Sequence, residues 1–279
     1  MRMTPWLSAL AVSTGIGAAC FADVTGKVTL TGKIPEMPEI KVMKMVPGCA
    51  HKDPVFEETV VAGDKGELAN VVVYIKPPQG KELGGGNPAP AVLDQKGCMY
   101  VPHVVAVQKG QSLTVKNSDA FLHNVHSMSM DNNAVNFAMP TVDQTGKKVG
   151  PFTVAENIKV KCDVHPWMTA WVIVLDSPFY AVTGEDGAYK IDTKGLADGD
   201  YELVFWQEKY GQKSQKISVK GGKAEANQSY DSGQKAEAPA VTDVKLASLV
   251  QKSNDKCDDG SCCDEPAKAT GTIAVVEKK

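Results

Sequence analysis

VKCDVHPWM, residues 160–168, places a thiol at Cys162, an imidazole at His165 and a thioether at Met168. The run leading in, Ile158-Lys159-Val160-Lys161-Cys162, alternates apolar with polar. Alternate side chains of a strand share a face. The pattern therefore predicts a strand with Ile158, Val160 and Cys162 turned into a core and both lysines in solvent. Cys162 becomes a buried thiol at the strand's end, and His165 and Met168 lie on the loop that follows. A thiolate, imidazoles and a weak thioether are the donors of a trigonal His2Cys copper site with an axial Met.

Such a site needs a second histidine from another strand, and NSDAFLHNVHS, residues 117–127, offers one. Phe121, His123 and Val125 alternate onto one face, which reads as the core. Asn124 and His126 fall on the other. His123 is the expected ligand and His126 is not.

The combination C-x2-H-P-aromatic-M with H-N-V-H some forty residues upstream resembles the small blue copper proteins, the cupredoxins, and amicyanin-like members most closely. The resemblance covers roughly residues 92–176. It implies one type 1 copper held by His123, Cys162, His165 and Met168, in a Greek-key β-sandwich. It also implies that Asn124 ties the His123 loop to the Cys162 loop, a supporting role common around metal ligands. Pro166 biases His165 towards extended geometry and removes one backbone N–H. By the same resemblance one edge of His165 faces outward, and Pro166 and Trp167 form an uncharged patch where a redox partner, a cytochrome or a dehydrogenase, approaches. Structural zinc wants four strong ligands, and a thioether is a poor fourth.

The chain has 279 residues, 43% hydrophobic, with net charge −3. That balance does not point to nucleic acid. Gly 25 and Pro 16 suit a turn-rich, all-β chain. Residues 1–22 read as an export signal: Arg2 supplies the charged start, Trp6 to Ala19 the apolar stretch, and Ala22 a small residue at the cleavage site. A second reading makes Cys20 a lipidated cysteine after Gly17-Ala18-Ala19. Either way the destination is periplasmic or extracellular.

Export bears on the cysteines, because disulfides persist outside the cytosol. There are seven: Cys20, Cys49, Cys98, Cys162, Cys257, Cys262 and Cys263. With Cys20 removed and Cys162 on metal, Cys49 and Cys98 are the two left in folded sequence and are expected to pair.

Along the chain, residues 24–32 and 68–76 read as strands, and residues 33–60, with four prolines, as an irregular loop. Met43 and Met45 lie in that loop, where gap-filling is the ordinary role for Met. His51 reads as a surface residue. Residues 77–90 are a Pro/Gly linker. Residues 98–107 read as one strand, with His103 a satisfied polar residue, and residues 127–157 as irregular. Met128, Met130 and Met139 in that segment suggest extra soft-metal binding at most weakly.

Residues 179–220 hold VTGEDGAYKI, LADGDYELVFW and SQKISVKGG, strands separated by Gly/Asp turns. They resemble the prealbumin-like sandwich of carboxypeptidase regulatory domains, whose opening strands are absent just before residue 179 but present in residues 23–80. The resemblance implies a split host sandwich, 23–80 and 177–222, with the cupredoxin domain, 91–176, inserted. The alternative is that residues 24–76 extend the copper domain. Residues 223–279 read as a disordered tail, and Cys257, Cys262 and Cys263 there suit either soft-metal binding or a tail disulfide.

The leading functional reading is an electron carrier. Copper delivery or storage is the alternative. A multicopper oxidase, by family knowledge, needs eight further histidines, and this chain has five in all. A second, nitrite-reductase-like copper using His51, His103 or His126 stays open, as does a structural copper beside a surface-binding module.

Overall fold

The structure, a computed structural model, describes residues 23–234. Their elements are β1 (Asp23–Thr31), a 3-10 turn (Lys41–Met45), β2 (Val72–Lys76), β3 (Ala91–Lys96), β4 (Met99–Val101), β5 (Val104–Gln108), β6 (Leu113–Asn117), β7 (His123–Ser127), β8 (Asn136–Met139) and β9 (Asp143–Val149). There follow β10 (Glu156–Lys161), β11 (Thr169–Leu175), β12 (Tyr180–Val182), β13 (Ala188–Asp192), β14 (Gly199–Gln207), β15 (Gly211–Val219), β16 (Ala224–Glu225) and β17 (Gln228–Asp231). The described chain is all-β. The expected export signal and the tail cysteines lie outside the described residues.

Four sheets pair into two layered sandwiches. One sandwich stacks the sheet β5-β11-β10-β7-β8 on the sheet β4-β3-β6-β9. Its core holds Leu93, Tyr100, Val115, Ile158, Val160 and Val172, all buried. The other stacks β12-β2-β14-β15 on β13-β1-β16, with β17 also on β1. Val28, Leu68, Ile75, Phe179, Phe205 and Tyr230 fill its core. β1 pairs with β13, and β2 with β14. Strands early in the chain are thus zipped to strands that come after the whole first sandwich.

The runs Val104-Val105-Ala106-Val107 and Val172-Ile173-Val174-Leu175 are apolar without alternation, and all eight residues are buried. Strands covered on both faces read this way. The first sandwich covers one face. On the other, Val104, Ala106, Ile173 and Leu175 meet Val72 and Trp206 of the second sandwich. Ring centroids of Trp171 and Trp206 lie 5.3 Å apart, edge to face.

Several expectations need correction. Residues 98–107 are not one strand: Pro102 lacks an N–H, and β4 and β5 end on either side of it in different sheets. Residues 127–157 are not irregular throughout, because β8 and β9 lie there. They are hidden because β8 is a four-residue edge strand and β9 carries Gly146 and five exposed or half-exposed polar residues. The tail does not begin at 223. β16 and β17 run parallel to β1, and Tyr230 is wholly buried. The loop 33–60, placed by sequence with the host sandwich, sends Ile40, Met43 and Cys49 into the core of the first.

Candidate metal centre

The strand phase read from the sequence is the one observed. Ile158, Val160 and Cys162 are 1–2% exposed, and Lys159 is exposed. β10 pairs with β7 through Val160↔Ser127 and Lys161↔His126. Continued by two residues, this register sets Asp163 beside Asn124 and brings the Cys162 loop over His123. The Asp163 N–H donates to Asn124 Oδ1 at 2.6 Å, so Asn124 does bridge the two segments. Asn124 itself is buried, against its expected phase, because Asn136 and Asp163 close over it.

The loop from Cys162 to Met168 closes on itself. The Cys162 N–H donates to the Met168 carbonyl at 3.1 Å, and the Met168 N–H to the His165 carbonyl at 2.9 Å. Met168 is wholly buried. Inside this loop Cys162 Sγ accepts N–H groups from His165 at 3.4 Å and Asn124 at 3.5 Å. Burial pushes the thiol up, but hydrogen bonds from His123 and from the backbone at Asn124, His165 and Val164 outweigh it, and the thiol lies below its ordinary range. Donors aimed at sulfur favour the thiolate, the form that binds metal.

His123 is fully buried, and its Nδ1 faces His165 Nδ1 at 2.9 Å. His165 Nδ1 lies 3.9 Å from Cys162 Sγ. One donor atom from each of His123, Cys162 and His165 falls within 4.8 Å of the others. Two nitrogen lone pairs and a thiolate turned to one point repel each other unless a cation or proton sits among them. The donor set, two imidazoles and a sulfur with a buried thioether in the same loop, suits a soft to borderline cation such as copper. Burial, and then His123, hold the His165 imidazole below its usual range. His123 is held above it: burial opposes charge there, but Cys162 and Asp119 favour it.

Asp119 was missed by sequence reading. Its Oδ2 meets His123 Nε2 at 2.8 Å and accepts the Cys98 N–H at 2.9 Å, while Oδ1 accepts the Gly97 N–H at 2.8 Å. Histidines that bind metal through one nitrogen commonly hand the other to a carboxylate. Only the turn that ends β6 brings Asp119 there, and no spacing rule announces it.

Cys49 and Cys98 form a disulfide, as expected. Its position was not foreseen. Cys49 Sγ lies 3.6 Å from His165 Nε2, and both cysteines are 0% exposed. His165 is 5% exposed, so its outer edge does not face solvent as the resemblance implied. The disulfide-bearing loop covers it, with Phe121 edge-on to the ring and Trp167 tilted against it. Trp167 is half-buried, and its Nε1–H donates to the Cys98 carbonyl at 3.0 Å; Pro166 is exposed.

The remaining histidines stand apart. His126 is half-exposed and pairs with Asp163 at 2.9 Å. His51 is exposed, its Nε2 2.7 Å from the Gly97 carbonyl. His103 is buried between a carbonyl and a carboxylate. Met43 fills the core, whereas Met45, Met128 and Met130 are exposed.

No family model and no curated protein matches the sequence. Among solved structures, the chain is similar to a copper-containing nitrite reductase from Thermus scotoductus SA-01, at 19% identity and TM-score 0.26 over 36% of this chain. It spans 26% of that enzyme's chain. It is also similar to a purple cupredoxin from Nitrosopumilus maritimus, at 22% identity and TM-score 0.24, covering 30% of this chain and 98% of that one. A reduced amicyanin variant aligns at 22% identity and TM-score 0.27, covering 37% and 97%.

Proposed function

We propose that this chain is an exported electron-transfer protein that cycles one type 1 copper, with His123, Cys162, His165 and Met168 as ligands. The observation that carries the reading is the convergence of His123 Nδ1, His165 Nδ1 and Cys162 Sγ in a buried site, with two backbone N–H groups on the sulfur. Copper, when bound, supplies a one-electron couple. The protein's part is to hold the donors still in both oxidation states. The loop does so through its two internal hydrogen bonds, Asp119 through His123, and Asn124 through Asp163. In this reading all four donors come from the protein, so no coordination position is left for a substrate, and the chain is a carrier and not an enzyme.

The partner is a redox protein, such as a cytochrome or dehydrogenase, that docks briefly over Pro166 and Trp167. Small, short-lived contacts are usual for such encounters. Residues 23–80 and 177–222 are read as a split prealbumin-like host, supported by the pairing of β1 with β13 and β2 with β14. The location is periplasmic or extracellular.

The test is an absorption spectrum. The Cu(II)-loaded protein should show intense visible thiolate charge transfer that Cys162→Ser abolishes. A colourless Cu(II) complex of the unsubstituted protein refutes the ligand set.

A further inference from the structure

His103 sits where the two sandwiches meet, and it is 5% exposed. It belongs to the turn between β4 and β5. Its Nε2 lies 2.6 Å from Glu208 Oε1, on the turn between β14 and β15 of the other sandwich. Its Nδ1 lies 3.1 Å from the carbonyl of Thr169, at the start of β11. A second carboxylate, Glu58 Oε2, is 3.9 Å from Nδ1. Glu208 Oε2 takes the Trp171 Nε1–H at 2.5 Å, and the Trp171 N–H donates to the His103 carbonyl at 2.8 Å.

The chemistry of this cluster is constrained. A backbone carbonyl only accepts, and so does an ionised carboxylate. Each ring nitrogen of His103 faces one of them, so each must carry a proton, and the ring must be an imidazolium. A neutral ring would aim a lone pair at a carbonyl or a carboxylate. The titratable groups facing the ring are Glu208 and Glu58. Thr169 contributes a carbonyl and Trp171 an N–H to Glu208. Burial disfavours the charge, but Glu208 and Glu58 raise His103 above the usual range.

Thr169 is the residue after Met168. The ladder between β11 and β5 begins only at Trp171↔Val104. The Thr169 carbonyl therefore lies beyond the ladder's end, and the His103 ring supplies the N–H that β5 does not. On its other side Thr169 pairs with Lys161, the residue before Cys162. Both ends of the Cys162–Met168 loop thus rest on this one pair.

We propose that His103 is a positioning residue, which as an imidazolium fastens the β14–β15 turn of the second sandwich to the base of the Cys162–Met168 loop. The second sandwich then orders the metal loop from a distance, touching none of the candidate ligands. The link concerns loop order and can be read without metal; its bearing on copper rests on the function proposed above.

The test uses the metal-free full chain and amide hydrogen exchange. In His103→Gln and in Glu208→Gln, exchange at the Cys162 and Met168 amides should accelerate at least tenfold more than at Val115 or Leu93, in the other sheet. Uniform acceleration at all four amides, the signature of simple global destabilisation, overturns the proposal. So does no change. If either variant fails to fold, the unsubstituted protein supplies the answer. A pKa raised in the folded state means the contact is present below the ordinary histidine pKa and is lost as pH rises through the folded value. Protection at Cys162 and Met168, corrected for intrinsic exchange, should then fall selectively on the alkaline side, and a flat profile overturns the proposal. Selective loss in a protein that binds no copper supports the link while removing the copper reading.

Discussion

Replacing both Cys49 and Cys98 by Ala tests how the disulfide acts. The bridge closes a loop of 49 residues. In the chain-entropy treatment a loop of that size removes about 14 cal/mol/K from the unfolded ensemble, or about 4 kcal/mol at room temperature. The folded site should change little, because Ile40, Met43 and the 39–56 bridge keep the loop on the core. The loss should therefore appear mainly through the unfolded state. In urea, with a slope of about 2–3 kcal/mol/M, the midpoint of the metal-free protein should fall by about 1.3–2 M. The slope itself should rise, since an uncrosslinked chain exposes more surface when unfolded. The assay is urea unfolding followed by Trp fluorescence. A midpoint shift below about 0.3 M refutes the entropic argument for this bridge. A fall in slope instead would mean that the folded loop has come away from the His165 edge.

Three further outcomes are expected. Met168→Gln should keep copper and lower its potential, because an axial oxygen donor favours Cu(II); an unchanged potential means that Met168 is not coordinated. Trp167→Lys should leave the charge-transfer band in place and slow bimolecular electron transfer, while loss of the Trp167–Cys98 hydrogen bond lowers stability by about 1 kcal/mol; stopped-flow exchange at unaltered rate places the docking patch elsewhere. Glu156 accepts N–H groups from Met130 and Asn132 and a hydroxyl from Ser129. Burial opposes its ionisation, but these donors hold it down at about 2. A depressed carboxylate stabilises the fold above its unfolded pKa and stops doing so as pH falls towards 2. Stability of the metal-free protein should therefore drop more steeply between pH 5 and 2 than that of Glu156→Gln, and parallel curves would remove Glu156 from the acid response.

Sequence alone settled the strand that leads into Cys162, because alternation has a period of two and one residue of slip would turn Cys162 to solvent. The same rule turned His123 inward and left His126 half-exposed, as the structure has them, and the all-β class followed from β-branched runs broken by Gly and Pro. The pairing of Cys49 with Cys98 followed from counting. Beyond that pairing and the expected split host, the sequence did not contain the contacts carried by long-range approach. β9 and β17 are polar enough to pass for loop and β8 is only four residues long, so it is their partners that make them strands. Cys49 meets His165 and Glu208 meets His103 across 116 and 105 residues because the tertiary fold carries separate turns to one place, whereas Asp119 meets His123 only four residues on, through the shape of the turn after β6. The outer face of His165 shows the difference most plainly. A local motif fixes which atoms of a loop can bind a metal, since bond lengths and strand phase are local. Whether that loop faces water is decided by whatever else folds over it, and here a disulfide-bearing segment from the far side of the sequence does so.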